Sequence, residues 1–284
     1  MMKKQNLWIG CVLGMLLAGT GCFDHQKAPD RPVTATSLVE ANQLKETVQT
    51  LKLPKSDWKE IPAALAGMPK LSMLELRGSK SLKGCAGLKG LKALKRLDLS
   101  ELGLASFPAE ITALSGLEHL YLSDNALATL PPAIGQLQGL SYLNLDRNRL
   151  TALPNEIGTL TNLRWLRLNE NALTNLPADL QKLQKLQRIY LRKNKLAAVP
   201  KALEGLPLIE DVSLSGNPIR EIPQWMTAFP KLRQLDFDGC QISKFPEDLS
   251  GWKNVQVITL VRCPLPEEEK ARLRKALPKA HIMF

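Results

Sequence analysis

Aliphatic residues recur at a fixed interval along most of the chain. Val48, Leu71, Leu94, Leu117, Leu140, Leu163, Leu186, Ile209, Leu232 and Val255 each stand 23 residues after the last. Taking each as position 0 of a coil, position 3 holds Leu120, Leu143, Leu166, Ile189, Val212 and Leu235, and position 5 holds Leu122, Leu145, Leu168, Leu191, Leu214 and Phe237. Apolar residues two apart with polar residues between them predict a short strand with one buried face. A period of this length predicts a solenoid, because one coil cannot bury its apolar face alone and must stack on its neighbours.

Position 8 carries Asn125, Asn148, Asn171, Asn194 and Asn217, followed by Cys240 and Cys263. An amide has both donors and an acceptor, so a column of them can satisfy backbone groups left open where the chain leaves its strand. These asparagines are therefore read as a structural ladder, and a thiol is small enough to share their burial. The run Leu117-Glu118-His119-Leu120-Tyr121-Leu122-Ser123-Asp124-Asn125-Ala126-Leu127 resembles the LxxLxLxxNxL consensus of the leucine-rich-repeat family, and Leu130-Pro131-Pro132-Ala133-Ile134 is similar to its 23-residue LPxxI subtype. The resemblance covers about residues 48 to 284. It implies an α/β leucine-rich-repeat solenoid, a curved horseshoe whose parallel β-sheet lines a concave surface, with cysteine permitted in the ladder. Adjacent strands lie ~4.8 Å apart, so a Cys240–Cys263 disulfide is geometrically conceivable, whereas parallel inward-pointing side chains favour two buried thiols. The early coils are least regular: Ser79 and Leu102 stand at ladder positions, and Gly84-Cys85 replaces Leu-Pro.

The ends break the period. Ser37-Leu38-Val39-Glu40 has capping-box spacing, with Leu38, Ala41, Leu44 and Val48 on one helical face, which predicts a cap helix over 37–47. Pro266-Glu267-Glu268-Glu269 opens a second helix with negative charge at its start. Leu273, Ala276 and Leu277 are expected to face inward there, and Ile282 and Phe284 to form a final edge, so residues 265–284 read as the C-terminal cap and 48–264 as the repeats. At the other extreme, Lys3 and Lys4 precede an uncharged apolar run from Leu7 to Ala18, which reads as a signal peptide over 1–21. The run is too short for a hydrocarbon core that needs ~20 apolar residues. Leu17-Ala18-Gly19-Thr20-Gly21-Cys22 resembles the bacterial lipobox, although Gly19 stands where that pattern has Leu. It implies a lipid anchor at Cys22 and a protein of the bacterial cell envelope, facing outside the cytoplasm. The alternative is ordinary cleavage, with Cys22 a free thiol in a secreted protein. Residues 22–36, with Pro29 and Pro32 and no apolar period, read as a flexible tether.

Composition narrows the function. The net charge of +11 is not gathered into a basic run, so nucleic acid is not an expected partner. The three histidines, His25, His119 and His281, lack metal-site spacing, and no nucleophile or phosphate-loop motif is present, so no catalytic residue, metal or cofactor is assigned and the chain is not read as an enzyme. In the resembled family, strand positions 2, 4 and 6 supply ligand contacts. Here they hold His119, Tyr121, Tyr142, Asn144, Asp146, Trp165, Arg167, Asn169, Arg188, Tyr190 and Arg192, including all three tyrosines of the chain. Tyr, Trp and Arg combine large contact area with hydrogen-bonding heads. A protein partner is the first expectation; a glycan or cell-wall polymer on the same aromatic face, or a plain structural spacer, are the alternatives. Asp211, Ser213, Asp236 and Asp238 read as solvated surface, and Trp225 as cover for the core or a second contact point.

Overall fold

The computed structural model describes residues 32–56, 59–76, 78 and 82–284. The signal segment, Cys22, most of the tether and Ser79 lie outside these residues. Each coil contributes one short strand. In chain order these are β1 (Thr34–Ala35), β2 (Thr50–Leu53), β3 (Met73–Leu76), β4 (Arg96–Asp98), β5 (His119–Tyr121), β6 (Tyr142–Asn144), β7 (Trp165–Arg167), β8 (Arg188–Tyr190), β9 (Asp211–Ser213), β10 (Gln234–Asp236), β11 (Val257–Thr259) and β12 (His281–Met283). They form a single parallel sheet in sequence order, the solenoid that the period predicts.

Register follows the period. Leu120 pairs with Leu143, Leu143 with Leu166 and Leu166 with Ile189, so the position-3 residues lie side by side across the sheet. Every position-0 residue from Val48 to Val255 is at most 2% exposed, and the position-3 and position-5 residues from Leu120 to Phe237 at most 1%. Fully burying one such side chain is worth ~2 kcal/mol, so the stacked files are the main source of stability. The return path of each coil is a 3-10 turn of three to five residues, such as Pro132–Gln136 and Asn155–Thr159. Several of these turns follow a proline with fixed φ, as at Pro131 and Pro154. Ile134 and Ile157 close the core from that side.

The ladder works as its chemistry suggests. Asn148 Oδ1 accepts the Leu127 N–H at 3.1 Å, while its Nδ2 donates to the carbonyls of Leu122 at 2.9 Å and Leu145 at 3.0 Å. The pattern repeats at Asn125, Asn171, Asn194 and Asn217, though Asn125 and Asn171 are half-buried. At the next rungs the Cys240 and Cys263 thiols donate to the carbonyls of Leu214 at 3.4 Å and Phe237 at 3.2 Å. Both are free thiols; burial pushes Cys240 up to about 12 and Cys263 upward as well. Just ahead of the ladder, position 7 is left-handed in every coil from Glu101 to Arg262. It takes Gly216 and Gly239 in two coils and Glu101, Asp124, Arg147, Glu170, Lys193 and Arg262 in the others. A side chain costs ~1 kcal/mol in that conformation. Ion pairs Asp124–Arg147 and Glu170–Lys193 along the same column partly offset the strain.

Both ends differ in detail from the sequence expectation. The tether was expected to run to residue 36, yet Thr34–Ala35 is a strand paired with β2, and Ala35 is fully buried. Two residues are too short to show a period, but they cover an open sheet edge. Helix α1 is shorter than 37–47, spanning Leu38–Gln43; the Ser37 hydroxyl accepts the Glu40 N–H at 3.1 Å. Val48 belongs to the coil register rather than the helix. Helix α2 (Glu267–Ala276) buries Leu273, and its C-cap Leu277 is buried too, but Ala276 is exposed. The polar member of its inner side is Glu269, whose carboxylate accepts the Phe245 N–H and the Arg272 guanidinium, both at 2.7 Å. Arg272 in turn donates to the Pro246 carbonyl at 3.0 Å, fastening α2 to the last full coil.

Candidate functional site

The outward strand positions sort into files across the sheet. The position-2 file runs Arg96, His119, Tyr142, Trp165, Arg188 and Asp211 on β4 to β9. Its rings touch in sequence: His119 to Tyr142 at 6.2 Å between centroids, and Tyr142 to Trp165 at 5.6 Å edge to face. Tyr121, one file over, lies 4.8 Å from Tyr142. Each is held on a β-strand whose other face is buried, so the rings are fixed from beneath. Trp165 is 38% exposed, one of three exposed large hydrophobic residues among those described. A cleft of about 390 Å³ opens here, walled by Arg96, His119, Tyr121, Tyr142, Arg164 and Trp165. Burial, then the Arg96 charge, pull His119 below its ordinary range, against the opposing charge of Glu118.

Arginines stack on these rings. The Arg96 guanidinium carbon sits 4.3 Å from the Tyr121 centroid, and that of Arg188 4.6 Å from the Trp165 centroid. Arg96 and Arg164 are absent from the sequence-derived set. Arg96 is position 2 one coil before the first aromatic, so extending the file by a single coil would have found it; Arg164 stands at position 1, which the family pattern does not single out.

Other residues of the expected site have structural duties instead. Asp146 is 1% exposed, with one oxygen accepting the Arg167 side chain at 2.7 Å and the other the Asn169 N–H at 2.7 Å. It is an inter-coil brace rather than a ligand contact, because the chain has begun to turn inward at position 6. Asn144 accepts the Asp146 N–H at 3.0 Å and Asn169 the Arg192 N–H at 2.8 Å, so their carbonyl groups are spent the same way. Arg192 is exposed at the margin. The Tyr190 hydroxyl donates to Asp211 at 2.7 Å, and burial with that bond pushes the phenol up to about 12. Nor are the acidic residues beyond simply solvated: Ser213 is 8% exposed and donates to Asp236 at 2.8 Å, while Asp238 pairs with Arg262. Trp225 is half-buried against the core, edge to face with Phe229 at 5.9 Å.

Burial lifts the Asp211 carboxyl above its usual range, against the Tyr190 bond and the Arg188 charge. A raised carboxyl favours the folded state only at pH low enough to protonate it, and weighs against folding once pH exceeds its folded value. Asp211→Asn keeps an oxygen for Tyr190. It is expected to raise Tm at pH 7 and to leave it near that of the parent at pH 4, by thermal melts at both. A fall at pH 7 would mean that attraction to Arg188 outweighs burial.

A family model described as a leucine-rich repeat region matches residues 74–247. The chain belongs to the leucine-rich-repeat family. Among solved structures, this leucine-rich-repeat protein is similar to one from Leptospira interrogans, with 29% identity over 86% of this chain and 74% of that one, at a TM-score of 0.58. An internalin from Listeria monocytogenes shares the fold, with a TM-score of 0.74 and 20% identity over 87% and 70% of the two chains. A plant peptide hormone receptor, RGFR1 in complex with RGF2, is 25% identical, covering 90% of this chain and 42% of the receptor at a TM-score of 0.69. No curated protein matches the sequence. The repeat signature and the sheet are thus those of a leucine-rich-repeat protein, a scaffold commonly used for binding.

Proposed function

We propose that this leucine-rich-repeat protein is a non-enzymatic binding protein that recognises a protein partner through the ring-and-arginine file on β4 to β8, and that Cys22 holds it to a bacterial membrane outside the cytoplasm. The observation that carries the binding reading is the contiguous set Tyr121, Tyr142 and Trp165 with stacked Arg96 and Arg188. Such residues form the energetic centre of protein interfaces when they are rigid and adjacent. The neighbouring fold in RGFR1 is seen with RGF2, which supports recognition of a polypeptide by this kind of scaffold.

The test is selection of random dodecapeptides on the purified protein, followed by affinity measurement on the parent and on a Tyr142→Ala/Trp165→Ala double variant. Binding at least tenfold weaker in the double variant, with Tm within a few degrees of the parent, is expected. Equal binding by both would place the site elsewhere. Binding of cell-wall polysaccharide alone, lost in the same variant, would move the reading to a glycan. For the anchor, intact mass and membrane fractionation are compared with Cys22→Ala. A mature chain beginning at Cys22 with added acyl mass, absent from the variant, is expected; an unmodified soluble chain would refute it.

A further inference from the structure

Within the position-2 file, Arg96 and Arg188 flank His119, Tyr142 and Trp165, with Met73 before Arg96 and Asp211 beyond Arg188. Four strand-to-strand steps separate Arg96 from Arg188, which is about 19 Å at ~4.8 Å per step. The state of the two guanidiniums matters more than their number. Stacking on a ring uses the flat face of a guanidinium and leaves the N–H edge, with its fork of donors, open. Arg167 shows the contrast: it also lies over a ring, Tyr190 at 5.3 Å, but its edge is taken by Asp146. Among the described residues no ion pair or hydrogen bond engages the guanidinium of Arg96, Arg164 or Arg188; their backbones pair within the sheet. The carboxylate beside Arg188, Asp211, is held by the Tyr190 hydroxyl. Toward the other end, Glu118 is paired with Lys95 at 2.9 Å. Among the described residues no carboxylate lines the cleft itself.

From this placement, and resting on the binding reading above, we infer that the partner presents an extended acidic segment laid across the strands. One carboxylate side chain meets Arg96, a second about six residues along meets Arg188, and apolar or aromatic side chains between them cover His119, Tyr142 and Trp165. The spacing follows from the chain itself, since about 19 Å is spanned by roughly six extended residues at ~3.3 Å each. A guanidinium already pinned by its ring loses little freedom on forming a forked carboxylate pair, so the two ends act as preformed anion sites. Arg164, which also lines the cleft, adds positive charge.

The test uses the peptides selected above, together with acetylated, amidated forms in which each Asp or Glu is replaced by Asn or Gln. Affinity is measured by fluorescence anisotropy on the parent, Arg96→Gln, Arg188→Gln and Arg96→Lys. Enriched peptides are expected to carry two acidic residues about six apart around an apolar centre. Neutralising either acid should weaken binding about tenfold, and each Arg→Gln change should do the same. Arg96→Lys should retain part of the affinity, and a peptide lacking its first acid should be insensitive to Arg96→Gln. Neutral or basic peptides that still lose binding in Tyr142→Ala/Trp165→Ala would overturn the inference and leave the binding reading standing. If no peptide binds the file while polygalacturonate or single-stranded poly(U) does, both readings fall.

Discussion

Changing Asn217 to Leu is expected to destabilise the protein by about 3–4 kcal/mol, seen as a lower urea midpoint. Asn217 is 1% exposed. Its Oδ1 accepts the Leu196 N–H at 3.1 Å, and its Nδ2 donates to the carbonyls of Leu191 at 2.9 Å and Leu214 at 2.7 Å. Leucine fills the volume but makes none of these bonds. The largest loss is the Leu196 N–H, which is left buried with no acceptor; the Leu191 carbonyl keeps its bond from Asn194. Asn217→Cys should cost roughly half as much, since a thiol can still donate to one carbonyl, as Cys240 and Cys263 do at the next rungs. Equal losses for Leu and Cys would show that volume, not hydrogen bonding, governs the ladder.

A single methyl group should be almost as damaging at Gly251, with ~3 kcal/mol lost. A Cβ built there overlaps the Thr227 carbonyl oxygen of the preceding coil and lies 2.8 Å from its carbonyl carbon. Backbone, not a flexible side-chain tip, stands in the way, so the coils must part. The adjoining Trp252 is fully buried, donates its indole N–H to the Met226 carbonyl at 2.9 Å, and meets Phe245 edge to face. Gly251→Ala should therefore also shift tryptophan emission to the red before global unfolding. Gly67→Ala is the control, because nothing lies within 4 Å of a Cβ there. An unchanged midpoint for Gly251→Ala would show that the coil spacing can stretch at no cost.

The inward half of this molecule is legible in its sequence because burial recurs with the coil. Any residue that must face the core meets the same neighbours every 23 positions, and the ladder obeys the same rule. The outward half has no such constraint. Position 6 looks like an outward site by its parity, yet Asp146 is buried there, since parity fails once the strand bends toward the ladder. Arg96 is the opposite case: it keeps the file but lies one coil before the first ring, outside the stretch that the aromatic residues mark. Thr34–Ala35 and Ala276 lie beyond the last regular coil, where there is no period to read.

The inter-coil hydrogen bonds of the asparagine ladder join residues that touch in space and are always about one coil apart along the chain. Those of Asn125 reach back 21, 23 and 26 residues, and those of Asn217 reach back 21 and 26. Closing a loop costs entropy that rises only with the logarithm of its length, and here that length never grows. The tenth coil is no harder to close than the third. Folding can begin in any well-formed pair of coils and advance in both directions, with each new coil templated on the strand already in place.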